Sequence, residues 1–178
     1  MVQNLRFGKT RTANDWGLKK KSELQGNEYG KAGKGVIICE VCHDVFFKKG
    51  WHKPGSSPLT GTKLSGTGVH FALCPACKMK KGNLYGGKLT IKNIPLETRE
   101  ELFNLISGFG RRALERNPQD RIMDIKTTGS TFLITTNNDQ LAAKLGRKIN
   151  DTFHKTEKKV SFSSEPEEVS HVEINFIA

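Results

Sequence analysis

Cys39-Glu40-Val41-Cys42 and Cys74-Pro75-Ala76-Cys77 are the two stretches on which the reading of this chain turns. Each sets two thiols three positions apart, a spacing that can hold both sulfurs on one tight turn. Two such turns facing each other complete a tetrahedral set for one zinc ion. Cys39, Cys42, Cys74 and Cys77 are the only cysteines of the 178 residues, a meagre disulfide framework for that length, and in a reducing compartment paired thiols serve better as metal ligands. Four thiolates leave no open coordination position, so the ion expected here holds structure and does no chemistry. The 31 residues between the pairs exceed the usual separation of a zinc ribbon, and the Gly, Ser, Thr and Pro content of residues 53–68 accounts for the excess as a loop. The position after such a turn is commonly Gly, which tolerates a left-handed backbone, whereas here it is His43 after the first pair and Lys78 after the second. His43, His52 and His70 lie near in sequence, but the four cysteines already satisfy the ion.

Working outward, Val36-Ile37-Ile38, Val45-Phe46-Phe47, Phe71-Ala72-Leu73 and Lys88-Leu89-Thr90-Ile91 are short apolar runs of strand composition. With the cysteine pairs they define a zinc-ribbon domain over residues 35–94. Residues 1–34 are rich in Gly and in basic and polar residues, and cannot bury enough surface to offset chain entropy, which predicts a flexible basic arm. After Pro95, Leu102, Leu105, Ile106, Phe109 and Ala113 recur at helical spacing, with Thr98 and Glu101 as a capping box and Asn117-Pro118 as the stop. Ile122, Ile125, Phe132 and Ile134 follow in two stretches about Thr128-Gly129-Ser130, a hairpin. A second helix from Asn138 or Asp139 sets Leu141, Leu145, Ile149 and Phe153 on one face and Lys144, Arg147, Lys148 and Lys155 on the other. A last hairpin alternates through Val160 and Phe162, then Val172, Ile174 and Phe176, about Glu165-Pro166-Glu167-Glu168. Residues 95–178 thus read as an α+β domain, a small antiparallel sheet with packed helices in the order hairpin, helix, hairpin.

The charge is uneven. The chain carries a formal +11, yet residues 1–94 hold 17 Lys and Arg against five Asp and Glu, and residues 95–178 hold 12 against 13. That asymmetry predicts a polyanionic partner for the front part. Lys48, Lys49, Trp51 and Lys53, then Lys78, Lys80, Lys81 and Tyr85, interleave cations with aromatic rings, the composition that grips phosphates and stacks unpaired bases. RNA or a ribosome is therefore the expected partner. No nucleophile elbow, Walker-type loop or dinucleotide fingerprint occurs, so neither catalysis nor a small-molecule substrate is expected. No apolar run could span a bilayer, and no apolar stretch follows the basic amino end as in a secretory signal, which predicts a cytoplasmic protein without a membrane partner. Two alternatives stay open: an iron electron carrier like rubredoxin, which shares the cysteine pairs and the proline after the third cysteine, and a zinc-stabilised protein-binding adaptor using the acidic turn Glu165 to Glu168.

Ile38-Cys39-Glu40-Val41-Cys42, Leu73-Cys74-Pro75-Ala76-Cys77, Arg121-Ile122-Met123-Asp124-Ile125 and the stretch from Thr135 to Gly146 together resemble a group of small bacterial zinc-knuckle proteins. That group is similar to the amino-terminal part of the nonsense-mediated-decay protein three family, the export adaptor of the large ribosomal subunit. The resemblance covers about residues 35–178. It implies association with a ribosome or structured RNA, with the four cysteines as metal ligands. The export role is left aside, because a chain of this length has no room for the adaptor's later domains.

Overall fold

The computed structural model describes residues 35–56, 68–162 and 169–177. The expected arm over residues 1–34, most of the 53–68 loop and the acidic turn at 165–168 lie outside them. The described chain forms two small sheets and three helices, an α+β architecture.

In the first sheet β1 (Gly35–Cys39), β2 (Val45–Phe47), β3 (Gly50–His52) and β4 (Gly68–Ala72) lie in the order β3-β2-β1-β4. β1 and β4 run parallel in the register Gly35↔Gly68 through Cys39↔Ala72, while β1–β2 and β2–β3 are antiparallel. The parallel pair decides the site. Both chains leave the sheet at the same end, so the turn after Cys39 and the segment after Ala72 come out side by side. That segment opens helix α1 (Pro75–Lys81), with Pro75 at the first helical position, where its missing N–H costs nothing.

The second sheet has the order β6-β7-β5-β9-β8, from β5 (Gly87–Lys92), β6 (Ile122–Thr128), β7 (Thr131–Thr136), β8 (Thr156–Phe162) and β9 (Ser170–Phe176). Two expectations are corrected here. Lys88 to Ile91, read as closing the front domain, is the central strand of this sheet. Its alternation makes it so: Leu89 and Ile91 are fully buried, and that row is covered only in the middle of the sheet. The sheet is also mixed, not antiparallel, because β5 pairs β9 in parallel from Gly87↔Ser170 to Lys92↔Asn175. The long excursion between these two strands allows a parallel pairing that no hairpin could make.

Helices α2 (Arg99–Arg116) and α3 (Asp139–Thr152) cover one face. Leu102 and Ile106 from α2, and Ala142, Leu145 and Ile149 from α3, meet Leu89, Ile91, Ile134, Val172 and Ile174 in a single core. α3 approaches so closely that a Cβ on Gly146 would stand 2.7 Å from Val172 Cγ1. The Thr98–Glu101 capping box does not form. A 3₁₀ turn at Leu96–Thr98 runs straight into α2, so Thr98 is itself helical and its hydroxyl donates to the Pro95 carbonyl at 3.0 Å. Asn138 does cap α3, accepting from the Leu141 N–H at 2.8 Å.

The opposite face of the sheet carries Lys88, Thr90 and Lys92, Thr131, Leu133 and Thr135, and His171, Glu173 and Asn175, by the registers of β5, β7 and β9. Lys92 and Glu173 form an ion pair across it at 2.9 Å. No Phe, Tyr or Trp stands among these residues of β5, β7 and β9.

Candidate metal centre

The four sulfurs gather at the shared end of β1 and β4, all within 4.8 Å of one another. A zinc–thiolate bond of about 2.3 Å gives a tetrahedral edge of about 3.8 Å, and Cys42 Sγ to Cys74 Sγ is 3.7 Å. No disulfide joins them. The donor set fits one thiophilic ion.

The two pairs are held differently. Cys39 to His43 is a tight turn: the His43 N–H donates to the Cys39 carbonyl at 2.9 Å, and His43 takes the left-handed φ of 60° that Gly would adopt without strain. The second pair is not a matching turn. Cys74 caps α1, its sulfur accepting from the Cys77 N–H at 3.4 Å, and Cys77 already lies in the first helical turn. Lys78 is therefore helical and needs no left-handed backbone, which explains how a lysine stands there. The two-turn geometry expected of a ribbon is met on one side only, because Pro75 and the residues after it favour a helix start.

Backbone amides aim at the sulfurs. The Cys74 N–H donates to Cys39 Sγ at 3.3 Å. Burial would raise the Cys39 thiol, but amide hydrogen bonds from this segment and from its own turn outweigh it and bring the group down to about 6. Burial pushes Cys42 well up, and burial together with the neighbouring Cys74 sulfur pushes Cys77 up to about 11. These shifts favour the thiolate at Cys39 and the protonated thiol at Cys42 and Cys77. An incoming ion must displace those two protons, so affinity falls as pH drops. We expect log affinity for zinc, from chelator competition between about pH 6 and 8, to rise with pH with a contribution of about two protons from these thiols. A pH-independent affinity would contradict this.

Two residues to which the sequence assigned no part in the metal site stand beside the sulfurs. Asp44, 3% exposed, lies with Oδ2 3.1 Å from Cys42 Sγ. Arg121 crosses from the carboxyl unit, its Nη2 at 2.6 Å from Asp44 Oδ2 and its Nη1 at 3.5 Å from Cys77 Sγ. Burial alone would lower the Arg121 guanidinium, and the cysteine sulfurs, Cys42 foremost, raise it instead. The sequence held a weak signal for Asp44, an acid two residues past a ligand, and none for Arg121, which is 77 positions from its partner.

The residues expected to contact RNA fall into three groups. Lys48, Lys49, Lys78, Lys80 and Lys81 are exposed, and Lys53 and Tyr85 are half-buried. Trp51 is corrected: it is only 8% exposed and packs with Phe46, ring centroids 5.5 Å apart, over Cys39, Cys74 and Cys77. With so little surface its ring has no open face to offer a base. His43 and His70 are exposed, and His52 Nε2 lies 3.0 Å from the Phe47 carbonyl oxygen, so no histidine joins the sulfur cluster among the described residues.

None of the helices described is long and apolar enough to cross a membrane. Comparison with protein-family models, with curated proteins and with solved structures finds no match for this chain.

Proposed function

We propose that this chain is a non-enzymatic zinc protein that binds RNA, such as that of the ribosome, through the basic surface of its metal-bearing unit. Four converging sulfurs support zinc in a closed, structural site. Iron would fit the same thiolates, and metal analysis of the protein from its own cells distinguishes the two.

The observation that carries the RNA reading is the turn between β2 and β3. It has two residues, Lys48 and Lys49, with φ of 47° and 67°. A two-residue hairpin with both positions left-handed favours Asn-Gly, and an ordinary side chain there is strained by about 1 kcal/mol or more. Two consecutive lysines at such positions are poor for stability and place two cations at a rigid tip. Strain of this kind concentrates at functional positions. The exposed lysines of α1, Lys78, Lys80 and Lys81, add to the same unit. The resemblance to the ribosomal adaptor family favours the same class of partner.

Lys48→Asn with Lys49→Gly tests the reading in one variant. Thermal unfolding should show the zinc-loaded protein as stable as the parent or up to about 1 kcal/mol more so. Affinity for single-stranded RNA should fall, and the slope of log affinity against log salt, about −3 to −4 for four to six phosphate contacts in the parent, should flatten. Charge reversal at Arg111, Arg112, Lys158 and Lys159 should change that slope less. Equal losses from both sets, or an affinity indifferent to salt, would remove the support for RNA.

A further inference from the structure

Arg121 belongs to the carboxyl unit by its backbone and to the metal-bearing unit by its side chain. Its N–H donates to Asn137 Oδ1 at 2.9 Å, its carbonyl accepts from the Asn137 N–H at 3.1 Å, and its Nε donates to the Pro118 carbonyl at 2.8 Å. So anchored, the guanidinium reaches both Asp44 and Cys77, and its side chain is 18% exposed against 5% for Asp44. One residue pair away, Gln119 Oε1 accepts from the Ala76 N–H inside the second cysteine pair at 3.2 Å.

Charge gives this bridge its role. A divalent ion with four thiolates carries two net negative charges, and the Asp44 carboxylate, next to Cys42 Sγ, adds a third in a largely buried place. Buried charge without a partner is strongly unfavourable. Arg121 is the cation that touches both the carboxylate and a ligand sulfur.

We propose that Arg121 is a positioning residue that acts as counter-cation to the four-thiolate centre, and so makes metal occupancy and the seating of the carboxyl sheet on the metal-bearing unit one coupled equilibrium. The proposal rests on the four cysteines being a metal site. Coupling is reciprocal. Loss of Arg121 weakens the metal, and loss of the metal releases the segment from Gln119 to Arg121.

Chelator competition on the full chain reads the first half. R121M should weaken zinc binding by about 10- to 100-fold, the range for lost outer partners of metal ligands. R121K should recover most of it, since the charge remains although the two-armed fork is lost. The decisive variant is R121M combined with D44N. If Arg121 acts through charge, removing the carboxylate it offsets restores part of the affinity, whereas a mere strut predicts that the double variant is no better than R121M. In the cobalt-substituted protein the sulfur-to-metal charge-transfer band should also shift in R121M. For the second half, amide exchange at Ala76 and Asn137 in the parent protein should quicken when zinc is removed, a reading that needs no variant to fold. One zinc bound equally well by parent and R121M, a double variant no better than R121M, or exchange indifferent to zinc would each overturn the proposal and leave the metal site standing. A parent chain that binds no zinc would overturn both.

Discussion

Cys74→Ser should unfold the metal-bearing unit while the core of the carboxyl sheet stays folded. The buried cluster of the front unit consists of Cys39, Trp51, Cys74, Ala76 and Cys77, so three of its five members belong to the sulfur cluster. β4 adds little, since Val69 and Phe71 are half or more exposed. A unit with so little apolar burial is expected to depend on an ion held by these sulfurs, and structural zinc contributes on the order of 10 kcal/mol in small metal-folded units. Serine is itself a good helix cap, so this variant removes the ligand with little loss of the cap on α1. Zinc per chain should fall from one to well below one, and amide exchange should become fast over residues 36–52 and 69–81 while Leu89, Ile134 and Val172 stay protected. Unchanged protection in the front unit would mean that the fold there does not depend on metal.

Leu145→Ala should be strongly destabilising to the carboxyl unit, because the side chain is fully buried where α3 crosses β5 and β9. The loss combines hydrophobic transfer with the cavity left behind, about 2–5 kcal/mol. The helix already approaches the sheet closely beside this position, where a Cβ on Gly146 would stand 2.7 Å from Val172 Cγ1, which leaves little room for it to move in and fill the space. Leu133→Ala, on the opposite face of the same sheet and only half-buried, should cost less than about 1 kcal/mol. Thermal unfolding of zinc-loaded protein, followed by exchange at β5 and β9, separates them. Equal losses would place the core on the wrong face.

Trp51→Ala should remove the largest side chain from the buried cluster of the front unit and destabilise that unit, with any loss of RNA affinity following from that unfolding.

Local pattern determined much of this protein. Two pairs of thiols three residues apart identified all four members of the sulfur cluster, because metal ligation leaves a signature in spacing alone. Leu141, Leu145 and Ile149 at helical intervals, and Val172, Ile174 and Phe176 at alternate positions, marked their buried faces, because an element turns one side to the core with a fixed period. The stop at Asn117-Pro118 and the cap at Asn138 were equally local.

Only the tertiary structure decided what depends on partners distant in the chain. β5 was legible as a strand but not as the centre of the second sheet, because pairing with Val172 and Ile134 is not encoded in its own residues. The same holds for the parallel pairing of β1 with β4, which brings the two cysteine pairs to one end. Trp51 had the composition of a stacking ring and a place in the buried cluster with three of the cysteines, and only packing distinguishes these. Asp44 and Arg121 stand 77 residues apart, and their meeting beside the thiolates follows from how the two sheets dock, a long-range contact that no spacing rule records.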